Sequence, residues 1–129
     1  MTIQRTQFAD GKPRPYAASA STGGIVFLCG QIPSYEDGTV PEGIAAQVDQ
    51  TFNNMEAVLH EAGSSLSYLL KLTVYLVDLD EFDQYNAAYL TRLTGFPLPP
   101  RTTVEVARFR GKKRIEIDAV AATHTSLTV

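Results

Sequence analysis

An arginine, Arg101, and a glutamate, Glu116, stand on two alternating segments near the carboxy-terminal end, RTTVEVA and RIEIDAVAA, and together they could bind an acid and move a proton. A guanidinium is permanently charged and presents a fork of donors that matches a carboxylate, which lysine does not. A strand glutamate can orient a water molecule and take its proton. Both segments alternate with period two, and the basic turn between them, FRGKKR, contains Gly111, so the sequence predicts an antiparallel hairpin. Counting by twos gives the first strand an apolar face of Val104 and Val106 and a polar face of Arg101, Thr103 and Glu105. On the second strand Ile115, Ile117, Ala119 and Ala121 share one face, and Glu116 and Asp118 the other. One face of the expected hairpin therefore carries Arg101, Glu105, Glu116 and Asp118. Spacing alone also suits a solvated sheet face in which Arg101 pairs with Glu105 or Glu116.

The elements that must position this pair follow from the rest of the chain. Residues 1–15 are polar and end in Pro13 and Pro15, predicting a short strand or arm and an extended entry to Tyr16. Two β-prone runs, 16–20 and 24–30, joined by Ser21-Thr22-Gly23-Gly24, predict a hairpin. In GIVFLCG both faces are apolar, the pattern of a strand covered on both sides. Residues 31–41 read as a loop by their prolines and Asp37-Gly38. From Pro41 onward Ile44, Val48, Phe52, Met55, Leu59 and Ala62 recur every three or four residues, an amphipathic helix with Gly63 just past its end. The run YLLKLTVYLVD alternates again, with Leu70, Leu72, Val74 and Leu76 expected to face inward. Asp78 or Asp80 can cap a second helix whose apolar stripe is Phe82, Tyr85, Tyr89 and Leu93, and Gly95 ends it.

The order ββ, α, β, α, ββ is that of an α+β sandwich in which two helices cover one face of a single sheet. The other face would carry Leu69, Tyr75, Val77 and Val120 among Lys71, Thr73 and Glu116. A half-apolar face of this size predicts a homo-oligomer, with polar residues near its seams available to build a cleft.

Bulk composition narrows the function. A chain of 129 residues, 44% hydrophobic and 19% charged, fits one soluble globular domain spanning 1–129. A formal charge of -3 argues against a nucleic-acid partner that needs broad phosphate neutralisation. No run approaches membrane-spanning length, and the first 15 residues lack the apolar core of a signal peptide. One cysteine allows no intrachain disulfide, which fits a reducing cytoplasm.

The motifs have a familiar arrangement. GQIP at 30–33, the helix AAQVDQTFNNMEAVLHEAG, the strand KLTVYLVDLDEF, then YNAAY, PPRTTVEVA and IEIDAVA keep the order and spacing of one family from about Tyr16 to Ala122. In these the chain resembles the RidA/YjgF reactive-intermediate deaminases, also called the endoribonuclease L-PSP or translation-inhibitor family. The resemblance implies a chorismate-mutase-like fold with a single mixed sheet, a homotrimer with clefts between subunits, and no cofactor. It also implies hydrolysis of 2-imino or enamino acids to 2-keto acids and ammonia. By the same resemblance Arg101 binds the substrate carboxylate and Glu116 positions water, while Tyr16, Asn86 and the backbone at Gly30 line the pocket. Cys29 stands where a serine or threonine is common, and Thr103 where cysteine is frequent; both line the expected pocket, so they bear on substrate preference. Within the family the alternatives are an aminomuconate-type deaminase, a ribonuclease or a non-catalytic ligand-binding protein.

The remaining reactive side chains have plainer expectations. Cys29 lies among apolar residues with nothing adjacent to activate it. His60, on the polar side of the first helix, and His124, in the tail THTSLTV, are isolated, so no metal site is expected. Arg108, Arg110, Lys112, Lys113 and Arg114 read as the solvated charge of a turn, and Tyr85 and Tyr89 as packing.

Overall fold

The computed structural model describes residues 2–124, so the end of the tail and Met1 lie outside the described residues. Six strands form one mixed sheet in the order β1-β2-β3-β6-β4-β5. They are β1 (Gln4–Thr6), β2 (Ser19–Thr22), β3 (Ile25–Leu28), β4 (Leu69–Leu76), β5 (Arg101–Glu105) and β6 (Ile115–Ala122), with helices α1 (Ile44–Glu61) and α2 (Phe82–Arg92) between them. The β2–β3 hairpin forms where expected; its two-residue turn, Gly23-Gly24, has φ of 59° and 82°, which suits glycine at both positions.

Helix α1 follows its apolar periodicity. Ile44, Val48, Phe52, Met55 and Leu59 are all buried against the sheet. Each contributes roughly 1.5–3 kcal/mol of burial. Gly63 (φ 77°) lets the chain leave the helix, with Ser64 N–H donating to the Leu59 carbonyl at 2.8 Å. Asp78 caps a single 3₁₀ turn, Leu79–Glu81, that leads into α2, and Tyr85, Tyr89 and Leu93 turn inward as their spacing predicts. The helices are clamped by Arg92, which pairs with Asp49 at 2.8 Å and with Glu56. The inward face of the sheet is completed by Leu72, Val74 and Leu76 of β4 and Ile115, Ile117, Ala119 and Ala121 of β6.

Three expectations are corrected. The hairpin between the last two strands does not form: β4 lies between β5 and β6, pairing parallel with β5 and antiparallel with β6. Helix α2 is the crossover that parallel pairing requires, and residues 106–114 span β4 to start β6. Buried Gln47 anchors that span, donating to the Lys112 carbonyl at 3.1 Å and accepting from Arg114 N–H at 2.7 Å. Secondly, β3 is covered on one side only. Val26 and Leu28 are buried, whereas Phe27 is 54% exposed because no helix packs over that face. Thirdly, Leu70 is 44% exposed and Leu69 is buried in its place, because the β4–β6 register slips between Leu69 and Lys71.

Candidate active site

Arg101 begins β5 opposite Leu72 of β4, and Thr103 and Glu105 lie opposite Val74 and Leu76. Laterally paired residues share a face, so Arg101 points toward the helices rather than toward the open face. There α2 receives it. Its Nη1 donates to Asn86 Oδ1 at 2.8 Å, and its guanidinium carbon lies 4.4 Å from the Tyr89 ring centre, 5.2 Å from Tyr85 and 5.7 Å from Phe82. Phe82, Tyr85 and Tyr89 form one stripe of α2, so a single helical face provides three rings for one cation. Thr103 supports this arrangement, its Oγ1 sharing a hydrogen bond of 2.8 Å with Tyr85 Oη. Burial pushes the Tyr85 and Tyr89 hydroxyls up, against the pull of Arg101. Among the described residues no carboxylate pairs with Arg101; Glu105 instead accepts from Leu79 N–H at 3.0 Å. A half-buried guanidinium held by an amide and three rings is well placed to take a carboxylate from outside the chain.

Glu116 lies on the other face of the sheet. Its strand neighbour is Tyr75, and that of Asp118 is Thr73, all directed to the uncovered side. Tyr75 Oη donates to Asp118 Oδ2 at 2.8 Å. Gly30 leaves the space that the Glu116 carboxylate fills: a Cβ there would sit 2.9 Å from the Glu116 carboxyl carbon and 3.3 Å from Asp118 Oδ1. Burial, and then Asp118, push the Glu116 carboxyl above its ordinary value of 4.5, with Lys113 opposing. That direction favours a carboxyl able both to take and to return a proton nearer neutrality.

Gly30 also lines a cleft of about 500 Å³ between the amino-terminal arm, the loop after β3 and α1. Tyr16 lines it too, its ring edge-on to Phe8 with centres 6.0 Å apart. Asn54 fixes the loop wall, donating to the carbonyls of Ile32 and Ser34 at 2.8 and 2.9 Å. Half-buried Cys29 precedes Gly30. Burial raises its thiol, so it has no thiolate character to act with.

The structure therefore gathers the sequence-derived residues into two groups. Arg101, Asn86 and Thr103 meet under α2; Glu116 and Gly30 meet on the open face, with Cys29 adjoining Gly30 and Tyr16 sharing its cleft. Within one chain β4 separates the groups by about 10 Å across the sheet, and the side chains of Arg101 and Glu116 point to opposite faces. The expectation that Arg101, Glu105, Glu116 and Asp118 share a face is thus corrected: Arg101 and Glu105 face the helices. Sequence reasoning also missed Tyr85 and Tyr89 as supports for Arg101, though their spacing on the face bearing Asn86 was visible. The basic residues Arg108, Lys112, Lys113 and Arg114 line a separate cavity of about 410 Å³ at the start of α1, where Arg114 pairs with Glu81 at 2.6 Å. Among the described residues no group of three or more His, Cys, Asp or Glu is placed to hold a metal, and no helix is long and apolar enough to cross a membrane.

Comparison with known proteins bears on what these groups do. Residues 11–123 match the sequence profile of the family described as Endoribonuclease L-PSP. The Escherichia coli K12 protein named 2-iminobutanoate/2-iminopropanoate deaminase is 35% identical over 119 residues, covering 90% of this chain and 93% of its own. The crystal structure of the E. coli YjgF gene product has a TM-score of 0.80 at 35% identity, covering 92% of this chain and 93% of that one. E. coli TdcF, crystallised with bound serine, has a TM-score of 0.81 at 30% identity, with the same coverage of 92% and 93%.

Proposed function

The chain belongs to the endoribonuclease L-PSP family, the RidA/YjgF proteins, and from that premise we propose that it hydrolyses reactive 2-imino and enamino acids to 2-keto acids and ammonia. The observation that carries this reading is the carboxylate-free, half-buried Arg101, held by Asn86 and three aromatic rings. It has the chemistry to bind a small organic acid. The bound serine of TdcF and the name of the E. coli deaminase agree with a substrate of this class.

Arg101 fixes the substrate carboxylate through its guanidinium fork. Water held by Glu116 adds to the C=N carbon, one of its protons passing to the Glu116 carboxylate and the C–N π pair to nitrogen. The carbinolamine nitrogen then takes a proton from Glu116. In this sequence, which starts from the iminium, the C–N bond then breaks, ammonia leaves, and the hydroxyl passes its proton to the Glu116 carboxylate, and from there to water, as the C=O bond of the keto acid forms. An iminium carbon is already electrophilic, so positioning and one proton carrier supply the acceleration, about two to four powers of ten from the latter.

Arg101 and Glu116 face opposite ways in one chain, so the complete site combines Arg101, Asn86 and Thr103 of one copy with Glu116, Gly30 and Tyr16 of the next. Phe27, Ile25, Leu70 and Val104 are exposed apolar side chains that a second copy would cover, and we assign the assembly as a homotrimer. The free Cys29 fits a reducing compartment, and we place the enzyme in the cytoplasm.

The test uses imines generated in situ by an amino-acid oxidase, with ammonia and keto acid measured. Wild type should accelerate release, while Arg101→Ala and Glu116→Gln should each fail to. Mixing the two variants through dissociation and reassembly should restore activity, because some interfaces then join an intact Arg101 to an intact Glu116. Lack of acceleration by wild type refutes the deaminase assignment, and lack of recovery in verified mixed oligomers refutes the two-chain site.

A further inference from the structure

We propose that Asp118 is a positioning residue for Glu116: tied to the Tyr75 hydroxyl, it holds its carboxyl beside that of Glu116 at Gly30 and leaves Glu116 as the member of the pair free to exchange a proton with substrate. The proposal rests on the deaminase reading and adds two residues to it.

The geometry is specific. Glu116 and Asp118 are two apart on β6 and so share a face, where both carboxyl groups crowd the hydrogen side of Gly30. The Glu116 carboxyl carbon and Asp118 Oδ1 can be no further apart than the 2.9 and 3.3 Å that separate each from a Cβ built on Gly30, taken together. Two carboxylates this close cannot both ionise as freely as either alone. Which of them keeps the proton depends on what else each touches. Asp118 accepts a hydrogen bond from Tyr75 Oη at 2.8 Å through Oδ2 and is thereby engaged within the chain. Asp118 in turn raises the Tyr75 hydroxyl, which keeps Tyr75 a donor. Glu116 has no such donor among the described residues, and Asp118 acts on it in the raising direction.

The other groups facing Glu116 leave this assignment standing; Arg101 of the neighbouring copy, which the proposed site brings to Glu116, pulls on it equally in wild type and in Asp118→Asn and so does not alter the comparison. Lys113, from the span before β6, lowers Glu116, and Cys29, from the end of β3, stays a thiol because burial raises it. On β4, Thr73 is neutral and Lys71 is directed away, its Nζ donating to Thr102 Oγ1 at 2.5 Å. Arg14, of the amino-terminal arm, is engaged with Asp10 at 2.9 Å. The pair thus has unequal members: the Asp118 carboxyl is tied to Tyr75, and the Glu116 carboxyl is left to alternate between base and acid within one turnover.

The test separates this proposal from the deaminase reading because its first readout needs no turnover. Side-chain carboxyl resonances of ¹³C-labelled Glu and Asp are followed against pH in the assembled protein. Asp118→Asn should move the Glu116 midpoint to lower pH, and Tyr75→Phe, which releases the Asp118 carboxyl from its place, should shift the same midpoint. In steady-state kinetics Asp118→Asn should shift the acid limb of the kcat profile to lower pH, lowering kcat at neutral pH while KM holds. A merely structural role would change melting or assembly without moving a midpoint. If the Glu116 midpoint stays in place in folded, assembled Asp118→Asn, the proposal is overturned while the deaminase reading stands on wild-type turnover. Should Asp118→Asn not fold, a Glu116 midpoint unaltered by Tyr75→Phe overturns it instead. If the midpoints move but wild type hydrolyses no imino acid, the deaminase reading fails and the positioning role falls with it.

Discussion

Gly30→Ala should separate stability from activity in this protein. The added methyl would overlap Glu116 Oε2 and approach the carboxyl carbon to 2.9 Å, where carbon atoms rest at about 3.5–4.0 Å. Glu116 must therefore retreat by about 1 Å or more to reach ordinary contact. What moves is the free end of a flexible side chain and not backbone, so the expected cost is that of an off-rotamer torsion, about 0.5–1.5 kcal/mol. In a domain of this size that lowers Tm by only several degrees, at about 4 °C per kcal/mol. The proposed catalytic step is less tolerant, since a misplacement of about 1 Å can cost about a hundredfold. Gly30→Ala should thus lower kcat about a hundredfold while KM, set by Arg101, changes little. Scanning calorimetry and imine hydrolysis on the same preparation provide both numbers. Combining Gly30→Ala with Glu116→Gln should add no further loss in kcat, because both act on one group. A Gly30→Ala protein that melts as expected and keeps kcat within a few-fold of wild type would refute the placement of Glu116 at the reaction.

Other perturbations probe the remaining parts. Tyr89→Leu removes the ring nearest Arg101 and should raise KM about two- to thirty-fold, from a cation–π contribution of about 0.5–2 kcal/mol, whereas Tyr89→Phe should leave KM near wild type; equal effects of the two would show that the hydroxyl matters instead. Glu116→Gln tests the raised carboxyl through stability. Because the folded chain holds that proton more tightly than the unfolded chain, stability declines as pH rises from 4.5 through the folded value, and above it the charged carboxylate is a standing cost. The variant should then melt higher than wild type at neutral pH and equally below 4.5, and a pH-independent difference would contradict the assignment. Phe27→Glu, on the exposed apolar area, should give a folded chain that sediments as a monomer and no longer hydrolyses imines; retention of the oligomer would show that another surface joins the copies.

The fold was legible wherever a periodicity met a single partner. Helix α1 buries Ile44, Val48, Phe52, Met55 and Leu59 as their spacing nominates, while Ala62 falls at its cap and is only partly buried, and Ile115, Ile117, Ala119 and Ala121 face inward as alternation requires. Alternation says which residues of a strand share a face, but it names neither the neighbouring strand nor the face that is buried. The β5–β6 hairpin failed on the first point, since nothing local to residues 98–122 reveals that β4 inserts between the two strands. It failed on the second because Val104 looked like core and Arg101 like surface. In the structure Val104 is 39% exposed, and Arg101 points to the helix side, where Phe82, Tyr85 and Tyr89 accept a cation. The misassigned residue is the one proposed to bind substrate. An arginine turned toward aromatic rings breaks the rule of apolar inside and polar outside, and such breaks concentrate at functional sites.

The parallel pairing of β5 has a consequence for assembly. A true hairpin with both polar residues outward would have placed Arg101 and Glu116 on one surface, and a monomer could have held the whole pair. Parallel pairing through α2 turns Arg101 toward the helix that supports it, while the antiparallel return of β6 keeps Glu116 on the open face beside Gly30. On the proposed reading, the topology that stabilises each half leaves neither chain able to complete the site alone. Association would then supply the second half of the site as well as cover Phe27. On this reasoning, loss of the oligomer should abolish turnover even where both half-sites keep their single-chain geometry, which is why recovery in mixed Arg101→Ala and Glu116→Gln oligomers is the decisive observation.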